Sequence, residues 1–209
     1  MVKRRRKPHF EGIEYEPKSV REILTEMKDT SELAVDLAYA AAIFDSTEMA
    51  EEVQRLGEKM DVLLYQINLS AMMAVRTPQE AQQMAAILHV ASAAEDISNA
   101  AVDISHVLDV PAEYRRFLPT VLYDADEKTR RISIKPGSSL HGKSLKELNI
   151  EAETGVRVIA VRWRRKWTYD PPGSFVLRSG DSLVVIGVDD GYEYVKACAE
   201  GNKVWGDEA

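Results

Sequence analysis

Gly137, Gly142, Lys143 and Ser144 stand at the spacing G-x-x-x-x-G-K-S, the pattern with which a loop wraps phosphate. In such a loop backbone amides and the lysine hold the phosphates, and the hydroxyl ligates magnesium. That chemistry needs a buried, all-apolar strand to deliver the glycines. Here the preceding segment, Arg131–Lys135, alternates apolar and basic residues, which suits the half-exposed edge of a small sheet. Pro136 abuts the first glycine, and fewer than seventy residues remain after Ser144. The spacing is read as a coincidence, and nucleotide hydrolysis is set aside.

Other groups capable of chemistry do not converge. His9, His89, His106 and His141 share no ligand spacing such as three or four apart on one helix. Asp103 and His106 are three apart, but two groups do not make a site. No serine, cysteine or histidine is placed as a nucleophile with its base, so the chain is read as a non-enzyme. Trp163-Arg164-Arg165-Lys166-Trp167 has the make-up to stack bases between cations, yet it reads more simply as a basic hairpin tip flanked by packed tryptophans.

The elements that must position any site fall into two halves. With 209 residues, 45% of them apolar and 29% charged, the composition is that of an ordinary globular protein with room for two modest domains. No apolar run reaches the roughly 18 residues that a membrane span requires. The basic start, MVKRRRKPHF, lacks the apolar stretch of a signal peptide, and the single Cys198 suits a reducing cytoplasm. Charge is uneven: residues 1–110 hold 11 basic and 19 acidic side chains, residues 111–209 hold 16 and 15. So acidic a body repels nucleic-acid phosphate, and no nucleic-acid partner is expected. The arm over 1–17 is read as a disordered, solubilising tail.

Residues 18–110 read as three long antiparallel helices. Ser19 with Glu22, and Thr77-Pro78-Gln79-Glu80, are capping boxes, and Asp45-Ser46-Thr47 marks a break. The apolar rows are Val20, Ile23, Leu24, Met27, Ala34, Leu37, Ala41 and Phe44; then Val53, Leu56, Met60, Leu63 and Ile67. The third row is Ile87, Val90, Ala94, Ile97, Ala101, Ile104 and Leu108. Alanine-rich helices allow close axial approach. Residues 111–130, with Pro111, Tyr114, Leu118, Pro119, Val121 and Leu122, read as a kinked helical connector packed on the second domain.

Residues 131–209 read as a small α+β sheet with helices at one side. The pieces are Ser138 and Leu140, then Gly142-Lys143-Ser144-Leu145 and Glu147-Leu148. After them come Gly155, the central strand Val156–Arg162, the Asp170-Pro171-Pro172 corner, and Gly180-Asp181-Ser182-Leu183 leading into Val184-Val185-Ile186-Gly187. Six such pieces in this order resemble the RCK-C (TrkA-C) module, the C-terminal regulatory domain of potassium-conductance regulators. The helical half resembles one repeat of the PhoU family, carried by residues 27–44, 53–67 and 93–104. PhoU repeats bear an acidic helix motif that can hold metal; Glu32 and Asp36 keep its spacing, but the corresponding row on the third helix reads Ala91, Glu95, Asn99. A hard cation wants about six or more oxygen ligands, and no metal site is assigned.

The fold class expected is thus α+β, an all-α three-helix bundle followed by an RCK-C domain. The resemblance implies a cytoplasmic homodimer, at most peripheral to the inner membrane face. It would regulate a cation channel or transporter, most simply for potassium, carried on a separate chain. A small molecule or ion in the RCK-C dimer cleft would shift the dimer between states. No cofactor is named. The alternative is a metal-binding PhoU-type regulator of phosphate signalling. By resemblance the ligand-binding residues are Asn149, Ile150, Glu151, Ala152, Glu153 and Pro171. Some RCK-C modules bind cyclic di-AMP there, with a basic residue where this chain has Glu151. Glu151 and Glu153 from two subunits would crowd four carboxylates into the cleft, so weak or absent cyclic di-AMP binding is expected, in a site better suited to a cation or an amine.

Overall fold

A computed structural model describes residues 18–122 and 127–207; the basic arm expected over 1–17 lies outside them. The chain falls into two units, one of residues 18–41 and 45–110, the other of 42–44, 111–122 and 127–207. It is α+β: three long helices, then a small antiparallel sheet with short helices.

The first unit is built from α1 (Val20–Phe44), α2 (Thr47–Ala74) and α3 (Pro78–Ser105). The Ser19 hydroxyl accepts from the Glu22 amide at 3.2 Å, and Glu22 returns a carboxylate to the Ser19 amide at 2.8 Å. Thr77 and Glu80 repeat the exchange at the start of α3, so both boxes neutralise otherwise orphaned helix-end amides. Between α1 and α2 the chain reverses at Asp45, in the left-handed region at φ 53°, and Ser46 caps α2. Ile23 and Met27 pack with Met60, Leu63, Ile67, Ala91 and Ala94 into one core cluster.

On α3 the buried row is Ala91, Ala94, Ser98, Ala101 and Ser105. Two residues of the expected face, Val90 and Ile97, are instead 55% and 48% exposed. The reason is proximity. A Cβ on Gly57 of α2 would stand 2.8 Å from Val102 Cγ2, so α2 and α3 approach closely, and small residues rather than the largest ones turn inward. A mid-helix glycine, which costs about 1 kcal/mol relative to alanine, is explained by the same approach.

In the second unit the connector is two short helices, α4 (Ala112–Arg115) and α5 (Leu118–Leu122). Its Tyr114, Phe117 and Val121 are well exposed, which corrects the expectation that Tyr114 and Val121 form a packed face: helices of four and five residues bury little. Strand β1 (Lys128–Ser133) begins inside the segment expected to be connector, three residues ahead of the strand expected at Arg131. It is an edge strand, as its alternating basic residues require. Then follow α6 (Leu145–Leu148), α7 (Ile150–Thr154), β2 (Arg157–Trp163), β3 (Lys166–Tyr169), β4 (Ser182–Gly187) and α8 (Asp189–Ala199). The order is β1-β4-β2-β3, antiparallel throughout, with Ile132 opposite Leu183 and Leu183 opposite Val161. Those residues join Leu140, Leu148, Ile150, Leu177, Val195 and Cys198 in the core between the sheet and the helices. β3 stops at Tyr169, before the two prolines that cannot donate to a ladder.

Candidate ligand pocket

The glycine-lysine-serine loop closes on itself. The amides of Ser138, Ser139, His141, Gly142 and Lys143 donate to the carbonyls of Lys135, Cys198, Ser138, Leu177 and Leu140 at 2.8–3.3 Å. The amides of Leu140 and Ser144 are taken by Ser138 Oγ and Glu147 Oε2. With these amides occupied by protein acceptors, the loop offers no cradle of free N–H groups to phosphate. Ser144 is the N-cap of α6, in a third capping box with Glu147. The Ser144 amide, then its hydroxyl, holds the Glu147 carboxyl below its usual range.

What this loop builds is a lip. The Leu145 and Lys146 amides donate to Phe175 and Gly173 carbonyls at 2.9 and 2.7 Å, and Leu177 returns its amide to Lys143 at 3.0 Å. Residues 173–177 therefore run as a strap along the start of α6. Gly173 lies so near that a Cβ would meet Lys146 Cβ at 3.3 Å. Asn149 ends α6 in the left-handed region at φ 46°, the turn that lets α7 follow at once, and Gly155 ends α7 at φ 67°. Asp170, also left-handed at φ 43°, turns the chain from β3 into Pro171.

Between α6, α7, the start of β2 and this strap lies a cavity of about 310 Å3. Four of the six site residues named from sequence line it: Asn149, Ile150, Glu151 and Pro171. Ile150 is 4% exposed and belongs to the hydrophobic core, so it forms wall rather than a free apolar face. Ala152 and Glu153 are exposed on α7 and lie outside the lining. Sequence reasoning missed Lys146, Arg157 and Asp170, which do line it. Arg157 was hidden inside a strand read for its apolar residues, and Lys146 among the helix-start charges. The lining thus holds two cations, Lys146 and Arg157, and two carboxylates, Glu151 and Asp170. Glu153, the second carboxylate expected to face a dimer cleft, is exposed on α7 and outside the lining of this pocket.

On the loop side of the strap, Asp181 is 1% exposed. Its Oδ2 accepts from the Arg178 amide at 2.7 Å, while Oδ1 has no partner. Burial pushes its carboxyl above the ordinary range. His141 Nδ1 accepts from the Ser179 amide at 3.0 Å in the same turn.

In the helical unit Glu32 pairs with Lys28 at 3.1 Å, and Asn99 donates to Glu95. His106 pairs with Asp109 at 2.9 Å rather than with Asp103. Among the described residues no three histidine, cysteine or carboxylate side chains come together as a metal site, and no helix is long and apolar enough to cross a membrane.

A TrkA-C domain model matches residues 129–197, and a PhoU domain model matches residues 24–108. The chain is 28% identical over 81 residues to probable potassium channel protein 2 of Methanocaldococcus jannaschii, a match covering 39% of this chain and 24% of that one. It therefore spans about a quarter of the length of that relative. Among solved structures, an RCK_C domain dimer of S. agalactiae BusR in complex with c-di-AMP matches at 28% identity, covering 34% of this chain and 93% of that one, with a TM-score of 0.33. The GsuK RCK domain matches at 19% identity, 53% and 24% coverage and a TM-score of 0.32. S. agalactiae BusR in complex with its busAB-promotor DNA matches at 14% identity, 86% and 95% coverage and a TM-score of 0.33.

Proposed function

From a chain that joins a PhoU domain to a TrkA-C domain, two regulatory rather than enzymatic families, we propose a ligand-sensing regulator of cation transport, potassium first. It acts from the cytoplasmic side on a channel or transporter carried by another polypeptide. The observation that carries this reading is the TrkA-C match at 129–197, supported by the potassium-channel relative. The pocket on that same domain supplies a place for the signal. A ligand that binds two arrangements of a homodimer unequally shifts their populations, and no chemical step is needed.

The ligand site is Asn149, Ile150, Glu151 and Pro171 together with Lys146, Arg157 and Asp170. At about 310 Å3 the pocket is at the small end of ligand cavities, about 300–1,000 Å3. A two-fold dinucleotide would have to span two copies, one half in each. Lys146 and Arg157 suit one phosphate, but Glu151 and Asp170 oppose it, so the site favours a ligand that carries a cationic or amine group for these carboxylates rather than one that is only anionic. Isothermal titration of the full chain tests this. Cyclic di-AMP is expected to bind weakly, with Kd above about 10 μM, and Glu151→Arg is expected to tighten it about tenfold or more, since moving a like charge to an opposite one is worth a kcal/mol or more at this range. Sub-micromolar binding by the unaltered chain would refute the assignment of Glu151. The transport role is tested by potassium flux through a channel or transporter captured from the membrane fraction, with and without the chain. Flux that ignores the chain would overturn it.

A further inference from the structure

The turn joining β2 to β3 gathers four cations, Arg162, Arg164, Arg165 and Lys166, into five residues. All four are exposed, and among the described residues none of them is in an ion pair with a carboxylate. They are carried on a rigid platform. The Arg162 guanidinium lies 5.4 Å from the Trp167 ring centroid and that of Arg164 lies 5.5 Å from the Trp163 ring. Trp167 stacks on Tyr169 with centroids 6.0 Å apart. Trp163 rests over Gly180, where a Cβ would meet its ring at 3.3 Å. At the apex Arg164 sits in the left-handed region, φ 56°, where asparagine or glycine is the ordinary residue of a tight hairpin. A backbone strained in order to present arginine points to a use for that arginine.

We propose that this hairpin tip docks on an anionic bilayer surface. Duplex nucleic acid fits less well: its binding grows with the number of phosphates neutralised along the duplex, which one turn of four cations keeps small, and the chain's net charge of −7 sets the rest of its surface against a polyanion that must be followed over several base pairs. A plane of acidic headgroups needs only the tip. A protruding turn brings all four cations within a Debye length of about 8 Å. Each adds a gain of about fivefold in partition, and half-buried indoles beside them are the side chains that settle at headgroup depth. The pocket remains clear of such a contact. Arg157 and Val158 line it at one end of β2 and Trp163 closes the other, about 20 Å away along the strand. The proposal does not depend on the pocket's ligand or on the transport role.

The test is co-sedimentation of the full chain with vesicles of mixed phosphatidylserine and phosphatidylcholine, and with phosphatidylcholine alone, at physiological ionic strength. Because residues 3–7 hold five further cations, the comparison is made both in the unaltered chain and in one with those five changed to glutamine. In both, binding is expected to require phosphatidylserine and to fall at least about tenfold with Arg164→Glu, Arg165→Glu and Lys166→Glu together. Arg164→Lys with Arg165→Lys keeps the charge and is expected to keep binding, which separates loss of charge from loss of fold. Equal sedimentation with and without the three glutamates, equal binding to neutral vesicles, or no binding to either would overturn the proposal. So would duplex DNA binding that the same three glutamates abolish while vesicles go unbound, which would make the partner a nucleic acid.

Discussion

Lys143 shows how residue identity and residue role separate. Its place in the glycine-rich pattern invites a phosphate contact, yet the surrounding amides are bound to carbonyls of Leu140, Leu177 and their neighbours. Lys143→Ala is accordingly expected to leave nucleotide affinity unchanged, with no magnesium-dependent ATP turnover in either chain; a turnover abolished by the substitution would restore the phosphate loop. Asp181 is the residue whose titration matters. Its folded pKa is raised by burial, so between the ordinary value of 3.8 and the raised one the folded state holds a proton that the unfolded state releases. Stability therefore falls as pH rises through that window. Thermal melts of Asp181→Asn should lack that component: the variant's advantage over the unaltered chain is expected to grow between pH values just below and well above the window. A difference that stays constant with pH would refute the assignment.

At the scale of elements, the capping boxes at Ser19 and Thr77 were read from sequence because each is a local exchange between residues three apart; the box at Ser144, of the same kind, was not. The face of α3 was readable in part: Ala94 and Ala101 turn inward as expected, while Val90 and Ile97 stay exposed. Periodicity marks the largest apolar residues, whereas the facing helix selects for fit: Gly57 makes room for Val102, and the buried α3 positions are alanines and serines. Ile97→Ser should therefore change stability by less than about 0.5 kcal/mol, as for an ordinary surface position. Ala101→Leu should cost about 1–3 kcal/mol by overpacking. Chemical denaturation of the two variants measures both, and the reverse ranking would restore the predicted face.

For the whole molecule, the exposed apolar side chains on the helical unit, Met72, Met73, Val90 and Ile97, fit the proposal that a second copy covers part of this chain. Light scattering is expected to give a dimer of the 23.4 kDa chain; a monomer mass at micromolar concentration would sink it.

The amino-acid sequence by itself determined the two-part architecture, the helix starts at Ser19 and Thr77, and the edge character of β1. It also marked the corner at Asp170–Pro172. Each of these rests on interactions within a few residues, or on a chain of motifs in order. Only the tertiary structure decided which side of α3 turns inward and that Tyr114, Phe117 and Val121 stay exposed. It alone decided which charges share the pocket. Lys146, Arg157 and Asp170 come from α6, β2 and the corner after β3, and what brings them into one lining with Glu151 is the packing of those segments. Sequence spacing carries no record of such a meeting, because the distances that define it are set across the fold rather than along the chain.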